Sequence, residues 1–187
     1  MIPPIKGFIK STLLDWEGRV ASLIFLPGCN FRCPMCHSPH LVGLGEDLET
    51  VPLESVLEHV TANRGWIDGL AITGGEPTLQ PGIIELLELL RGREVPVKLD
   101  TNGSRPDVLE EILQRGLVEA IAMDHIREKI ASFISSEKTQ KVINDDYCEL
   151  RLDVYVATPQ EFWRIVQAEA ERIVYLFKRI KAARNEQ

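Results

Sequence analysis

The chain has 187 residues, 44% of them hydrophobic and 26% charged, with a net charge of −7 at pH 7. That length suits a single domain over residues 1–187 with one continuous core, and the mixed composition excludes collagen-like and disordered classes. The acidic balance argues against a sequence-independent grip on nucleic acid, which needs many lysines and arginines, and no apolar run is long enough to span a bilayer.

Met1-Ile2-Pro3-Pro4 opens no secretory pattern, and four cysteines, three of them clustered, suit a reducing compartment better than a disulfide scaffold. A cytoplasmic location is therefore expected.

Residues 5 to 26 read as extended structure. Phe8-Ile9-Lys10 precedes a turn at Asp15-Trp16-Glu17-Gly18, and Arg19 to Leu26 is rich in β-branched and aromatic residues. From Leu53, the positions Leu53, Val56, Leu57 and Val60 follow helical spacing, with Gly65 as a stop. Ile67 to Thr73 reads as the next strand and runs into Gly74-Gly75-Glu76-Pro77. Ile83, Ile84, Leu86, Leu87, Leu89 and Leu90 make a helix apolar over most of its circumference, as burial against a sheet demands.

Val95 to Asp100 is a third strand, with its proline at the start or on an edge, and Thr101-Asn102-Gly103 is a turn. Ser104 is placed to cap the following helix, with Pro106 in its first turn and Gly116 as terminator. Leu117 to Met123 reads as a fourth strand ending at Asp124. Beyond it, residues 126–143 carry partial helical patterning, Glu149 to Val156 reads as a fifth strand and Pro159 to Glu169 as a helix. Ile173 to Phe177 reads as a last strand or more helix.

Alternating strands and helices at these spacings call for right-handed crossovers, and so for an α/β fold with a mainly parallel sheet and helices outside. A complete eight-unit barrel takes about 250 residues. This chain accommodates five or six units, so a partial barrel, open at one side, is expected.

Cys29, Cys33 and Cys36 fall within eight residues, directly after the strand that ends at Leu26. Three thiolates on one loop can converge on one inorganic group, and soft sulfur ligands select iron–sulfur clusters, zinc or monovalent copper. Most cubane clusters take four cysteines, so three would leave one iron open. On the residues alone, a zinc site of the same cysteines with His37 or His40 is the alternative, although structural zinc ligands usually come as two spaced pairs. Cys148 reads as a buried free thiol, with a fourth cluster ligand as the other reading.

The candidate motifs follow Leu26, Thr73, Leu99 and Met123, each at the carboxyl end of an expected strand. In parallel α/β folds those ends share one face, where ligands gather.

The three-then-two cysteine spacing resembles the radical S-adenosylmethionine superfamily. Together with Leu13 to Val20, Ala71 to Gln80, Lys98 to Gly103 and Ala122-Met123-Asp124, it is similar to the activating enzymes of glycyl-radical enzymes, in particular those of anaerobic ribonucleoside-triphosphate reductase. The resemblance implies a 4Fe–4S cluster on Cys29, Cys33 and Cys36, whose open iron chelates S-adenosylmethionine for reductive cleavage to a 5'-deoxyadenosyl radical. It also implies a glycyl-radical enzyme as partner and a low-potential electron donor. By motif, Gly74, Gly75 and Glu76 meet the methionine part, through carbonyls or the Glu76 carboxylate, and Met35 meets the adenine through its backbone. Asp100, Thr101, Asn102 and Asp124 belong to the same cofactor pocket. Asp100, Thr101, Met123 through its carbonyl, and Asp124 form a candidate monovalent-cation site, helix capping by the two aspartates being the other reading. Where the family commonly has Ile-Lys after Met-Asp, this chain has His125-Ile126-Arg127, so His125 or Arg127 is a candidate to replace that charge, a solvent-facing side chain being the other reading. A related activity on a small molecule, as in 7-carboxy-7-deazaguanine synthase, and a non-catalytic metal module are the alternatives.

Overall fold

The computed structural model describes residues 1–33, 36–124 and 151–154. Six strands, β1 (Gly7–Thr12), β2 (Ala21–Leu26), β3 (Gly69–Gly74), β4 (Val97–Thr101), β5 (Ala120–Asp124) and β6 (Arg151–Val154), form one sheet in the order β1-β2-β3-β4-β5-β6. Helices α1 (Leu53–Ala62), α2 (Ile83–Gly92) and α3 (Pro106–Gln114) are the crossovers that join β2 to β5 in parallel. The flanking strands β1 and β6 run antiparallel to β2 and β5. Among the described residues the sheet is thus mainly parallel and does not close, as expected, with a reversed strand at each end of the order.

Strand periodicity sorts the parallel residues onto two faces. On one face Ile24, Leu26, Leu70, Ile72, Val97, Leu99, Ile121 and Met123 pack with Val56, Val60, Leu86, Leu87, Leu90, Leu109 and Ile112 of the helices. Each such leucine or isoleucine contributes roughly 1.5–3 kcal/mol by leaving water. The other face is built differently. Leu23, Ala71, Lys98 and Ala120 stand in one register row across β2 to β5, and Asp100 pairs with Ala122 in a row nearer the strand ends. At the opposite end Trp16 is fully buried against Ala21 and Ala120, with the Arg19 guanidinium 4.6 Å above its ring.

The strands begin later than sequence patterning suggested. Ile67, Val95 and Leu117 are buried, yet the β3, β4 and β5 ladders start at Gly69, Val97 and Ala120. Ser104 is not the cap of α3. That position is Arg105, which makes no side-chain cap bond, with Pro106 in the first turn as read. Ser104 is drawn away because its N–H donates to Asn102 Oδ1 (2.9 Å) and its hydroxyl reaches Asn30 Oδ1 (3.3 Å). The readings over residues 126–143, Pro159 to Glu169 and Ile173 to Phe177, together with Cys148, His125 and Arg127, lie outside the described residues.

Candidate active site at the strand ends

The loop that leaves β2 is anchored at its root. Gly28 N–H donates to the carbonyls of Leu41 and Gly43 (2.7 Å each), and Cys29 N–H to Val42 (3.0 Å). Gln80 donates its side-chain amide to the Pro27 carbonyl. Farther along, Arg32 holds the carbonyls of Cys29 and Phe31 (2.9 and 3.0 Å), and Cys36 N–H donates to Cys33 O (3.1 Å). Cys29, Cys33 and Cys36 are partly buried and none is in a disulfide. His37 and His40 are exposed. Among the described residues, no three His, Cys, Asp or Glu side chains gather closely enough to hold a single metal ion.

Cys29 is held by two N–H donors. Its sulfur accepts the Phe31 N–H (3.4 Å) and the Asn102 side-chain amide (3.7 Å). Burial pushes the Cys29 thiol up, the charges of Glu76 and Cys36 add to this, and the two N–H···S bonds oppose it. Only the thiolate is alkylated. In metal-free protein, iodoacetamide labelling of Cys29 is therefore expected to rise with pH through a midpoint above the ordinary thiol value, read by mass spectrometry of the labelled peptide.

Asn102 also donates to Asn30 Oδ1 (3.0 Å), so one side chain from the end of β4 ties both the sulfur and the loop backbone's neighbour in place. Removing a group hydrogen-bonded to a metal ligand typically costs about 10–100-fold in metal affinity or activity. Asn102→Leu should show such a loss in iron retention against a chelator. It should also show a more negative cluster reduction potential, since a donor to the thiolate stabilises the reduced state.

The segment after β3 runs against the loop after β2. Gly75 N–H donates to Leu26 O (2.8 Å) and Glu76 N–H to Gly28 O (2.7 Å), so the two chains remain paired beyond the strands. The immediate constraint on the two glycines is the chain itself. A Cβ on Gly75 would fall inside contact distance of the Gly28 carbonyl, and one on Gly74 would meet the Leu26 backbone. Gly75→Ala is expected to cost about 3 kcal/mol, because backbone rather than a flexible side chain must move. Urea unfolding of the metal-free protein measures it.

Glu76 is fully buried. Its Oε1 accepts from Thr78 N–H (3.0 Å), Thr78 Oγ1 (2.5 Å) and Thr101 Oγ1 (2.7 Å), and its Oε2 accepts from Asn102 N–H (2.5 Å). Glu76 is thus the knot between the ends of β3 and β4. Among the described residues, three donors thus meet Oε1 and one meets Oε2.

At the next strand ends, Thr101 pairs in register with Met123. Asp124 closes β5 opposite Arg151. Asp100 lies within β4 and so caps no helix. Met35 lies outside the described residues. The thiol-only donor set and the N–H···S bonds fit an iron–sulfur cluster. The expected cation ligands fit less well. Asp100 Oδ1 is engaged by Lys98 Nζ, and the Thr101 hydroxyl both donates to Glu76 and accepts from Gly103 N–H (3.0 Å). Lys98 was missed by the sequence reading, although a lysine two residues before Asp100 in a buried strand must share its face.

A model of the radical SAM superfamily matches residues 23–145, the stretch that runs from within β2 through β5 and carries every strand-end motif described above. The chain belongs to this superfamily. Among relatives of this radical SAM chain, a protein of Methanocaldococcus jannaschii provisionally named a glycyl-radical enzyme activating enzyme is 33% identical over 121 residues, 64% of this chain and 49% of its own length. The pyruvate formate-lyase-activating enzyme of Clostridium pasteurianum is 28% identical over 119 residues, 61% of this chain and 49% of its own. A 7-carboxy-7-deazaguanine synthase of Clostridium acetobutylicum is 29% identical over 110 residues, 58% and 48% of the two chains. The chain spans about half the length of these relatives. Superfamily membership implies a 4Fe–4S cluster and S-adenosylmethionine.

Proposed function

We propose that this radical SAM chain activates a glycyl-radical enzyme, such as anaerobic ribonucleotide reductase, by abstracting hydrogen from a backbone glycine of that partner. The observation that supports it best is the meeting of the cysteine loop, Glu76 and Asn102 at the carboxyl edge of an open parallel sheet. An unclosed sheet leaves lateral access for a peptide loop, which a closed barrel would obstruct. The activating-enzyme names among the relatives point the same way.

Cys29, Cys33 and Cys36 would hold three irons of the cluster, and the chemistry supplied when cluster and S-adenosylmethionine are bound is reductive sulfonium cleavage and hydrogen abstraction. The chain's own part is positional. Asn102 and Phe31 orient the Cys29 sulfur, while Arg32 ties down the carbonyls of the same loop. Carbonyls beside Gly74 and Gly75 would accept the methionine ammonium, and the Met35 backbone would meet the adenine. No general base is required, so catalysis rests on orientation and on exclusion of water and oxygen. A low-potential electron donor is the second partner. Among the described residues no helix is long and apolar enough to cross a membrane, and a reducing cytoplasm would preserve the thiols.

The test is anaerobic reconstitution followed by dithionite and labelled S-adenosylmethionine, with and without a glycyl-radical enzyme. A glycyl signal in electron spin resonance that needs both proteins supports the proposal. Cleavage without that signal favours a small-molecule substrate, the reading to which the deazaguanine synthase match lends weight. Zinc alone in the metal analysis would leave only a non-catalytic metal module.

A further inference from the structure

We infer that the ammonium of Lys98 is the resident cation of the β4–β5 strand ends, in the place where the family resemblance implied a monovalent metal ion. The inference concerns charge beside Asp100 and is independent of which substrate loses hydrogen.

Lys98, the second residue of β4, stands in a row with Leu23, Ala71 and Ala120 and is only 1% exposed. Two alanine neighbours leave room for a four-carbon stem to lie along the sheet. An ionised lysine so deep requires a charged or strongly polar partner. Residues two apart in a strand face the same way, and Asp100 is that partner, itself 7% exposed, with Nζ on Oδ1.

This pairing changes what the strand end can bind. A metal cation on Asp100 would sit beside an ammonium already there, and like charges at such range repel strongly in a buried setting. The second expected ligand is engaged as well, because Thr101 Oγ1 donates to Glu76 Oε1 (2.7 Å) and accepts from Gly103 (3.0 Å). The ammonium is therefore a covalently tethered counterion for Asp100. It sets the charge of a strand whose next two residues hold Glu76 and Cys29, without drawing an ion from solution.

Thermal unfolding of metal-free protein in choline, sodium or potassium chloride at equal ionic strength tests this without cluster chemistry. The wild type should show no saturable stabilisation by sodium or potassium. Lys98→Ala should melt lower by about 6 °C or more, the scale expected for breaking a buried pair. It should also gain a saturable response to potassium or methylammonium, which can enter the space vacated beside Asp100. Saturable sodium or potassium binding by the wild type overturns the inference, as does a Lys98→Ala variant no more responsive than wild type. Should Lys98→Ala fail to fold in choline, refolding with methylammonium or potassium decides: recovery supports the tethered cation, and failure to recover rejects it.

Discussion

Glu76→Ala is expected to destabilise the metal-free protein by about 3–5 kcal/mol, among the largest losses from any single substitution outside the apolar core. The carboxylate accepts four hydrogen bonds in a fully buried setting. Two of the donors are hydroxyls, which can rotate toward other acceptors. The other two are the backbone N–H groups of Thr78 and Asn102, and these cannot. Each buried donor left unsatisfied costs about 1–3 kcal/mol, more when its partner was charged. Glu76→Gln separates the charge from the geometry. It keeps one oxygen to accept but turns an NH2 toward the remaining donors, so roughly half the loss is expected. Urea midpoints of the two variants measure the ratio, and equal stability of Glu76→Ala and wild type would remove Glu76 from its place as the knot.

The second large effect concerns the cysteines. Individual Cys29→Ala, Cys33→Ala and Cys36→Ala variants should each lose more than the roughly 100-fold that marks the upper range for groups merely supporting a ligand. Iron per protein after anaerobic reconstitution, and adenosyl product per hour, are the two readings. A serine at Cys29 should fare no better, since hard oxygen is a poor substitute for thiolate on iron. Because the β2 loop root is held by Gly28 and Gln80 rather than by the thiols, the fold itself should survive all three changes, with urea midpoints close to wild type. Retained iron and cleavage in all three variants would end the assignment of the loop.

The parallel framework was legible because its signals are local. Val56, Leu57 and Val60 repeat at helical spacing, and Leu70 and Ile72 alternate as strand residues do. Strand starts were less legible, since Ile67, Val95 and Leu117 are as apolar as the ladders they precede, and burial alone does not reveal pairing. The cysteine spacing announced its chemistry directly. What the sequence did not disclose depends on residues brought together by the fold. The donors to Glu76 from Thr101 and Asn102 lie 25 and 26 positions away, and Ser104 serves Asn30 across 74. A capping pattern cannot anticipate such competition. Lys98 was hidden for another reason: a lone lysine in a strand usually signals an exposed edge, whereas here the sheet continues on both sides of β4.

The pairing of Gly75 with Leu26 and of Glu76 with Gly28 extends the grip between neighbouring strands past their formal ends. Its consequence is mechanical. A visiting peptide that leans on the cysteine loop would load β3 as well as β2, and the strain would spread through the sheet instead of levering the loop from its base. The amide protons of Gly75 and Glu76 should then rank among the slowest to exchange outside regular strands, and stay so whether or not iron has been incorporated.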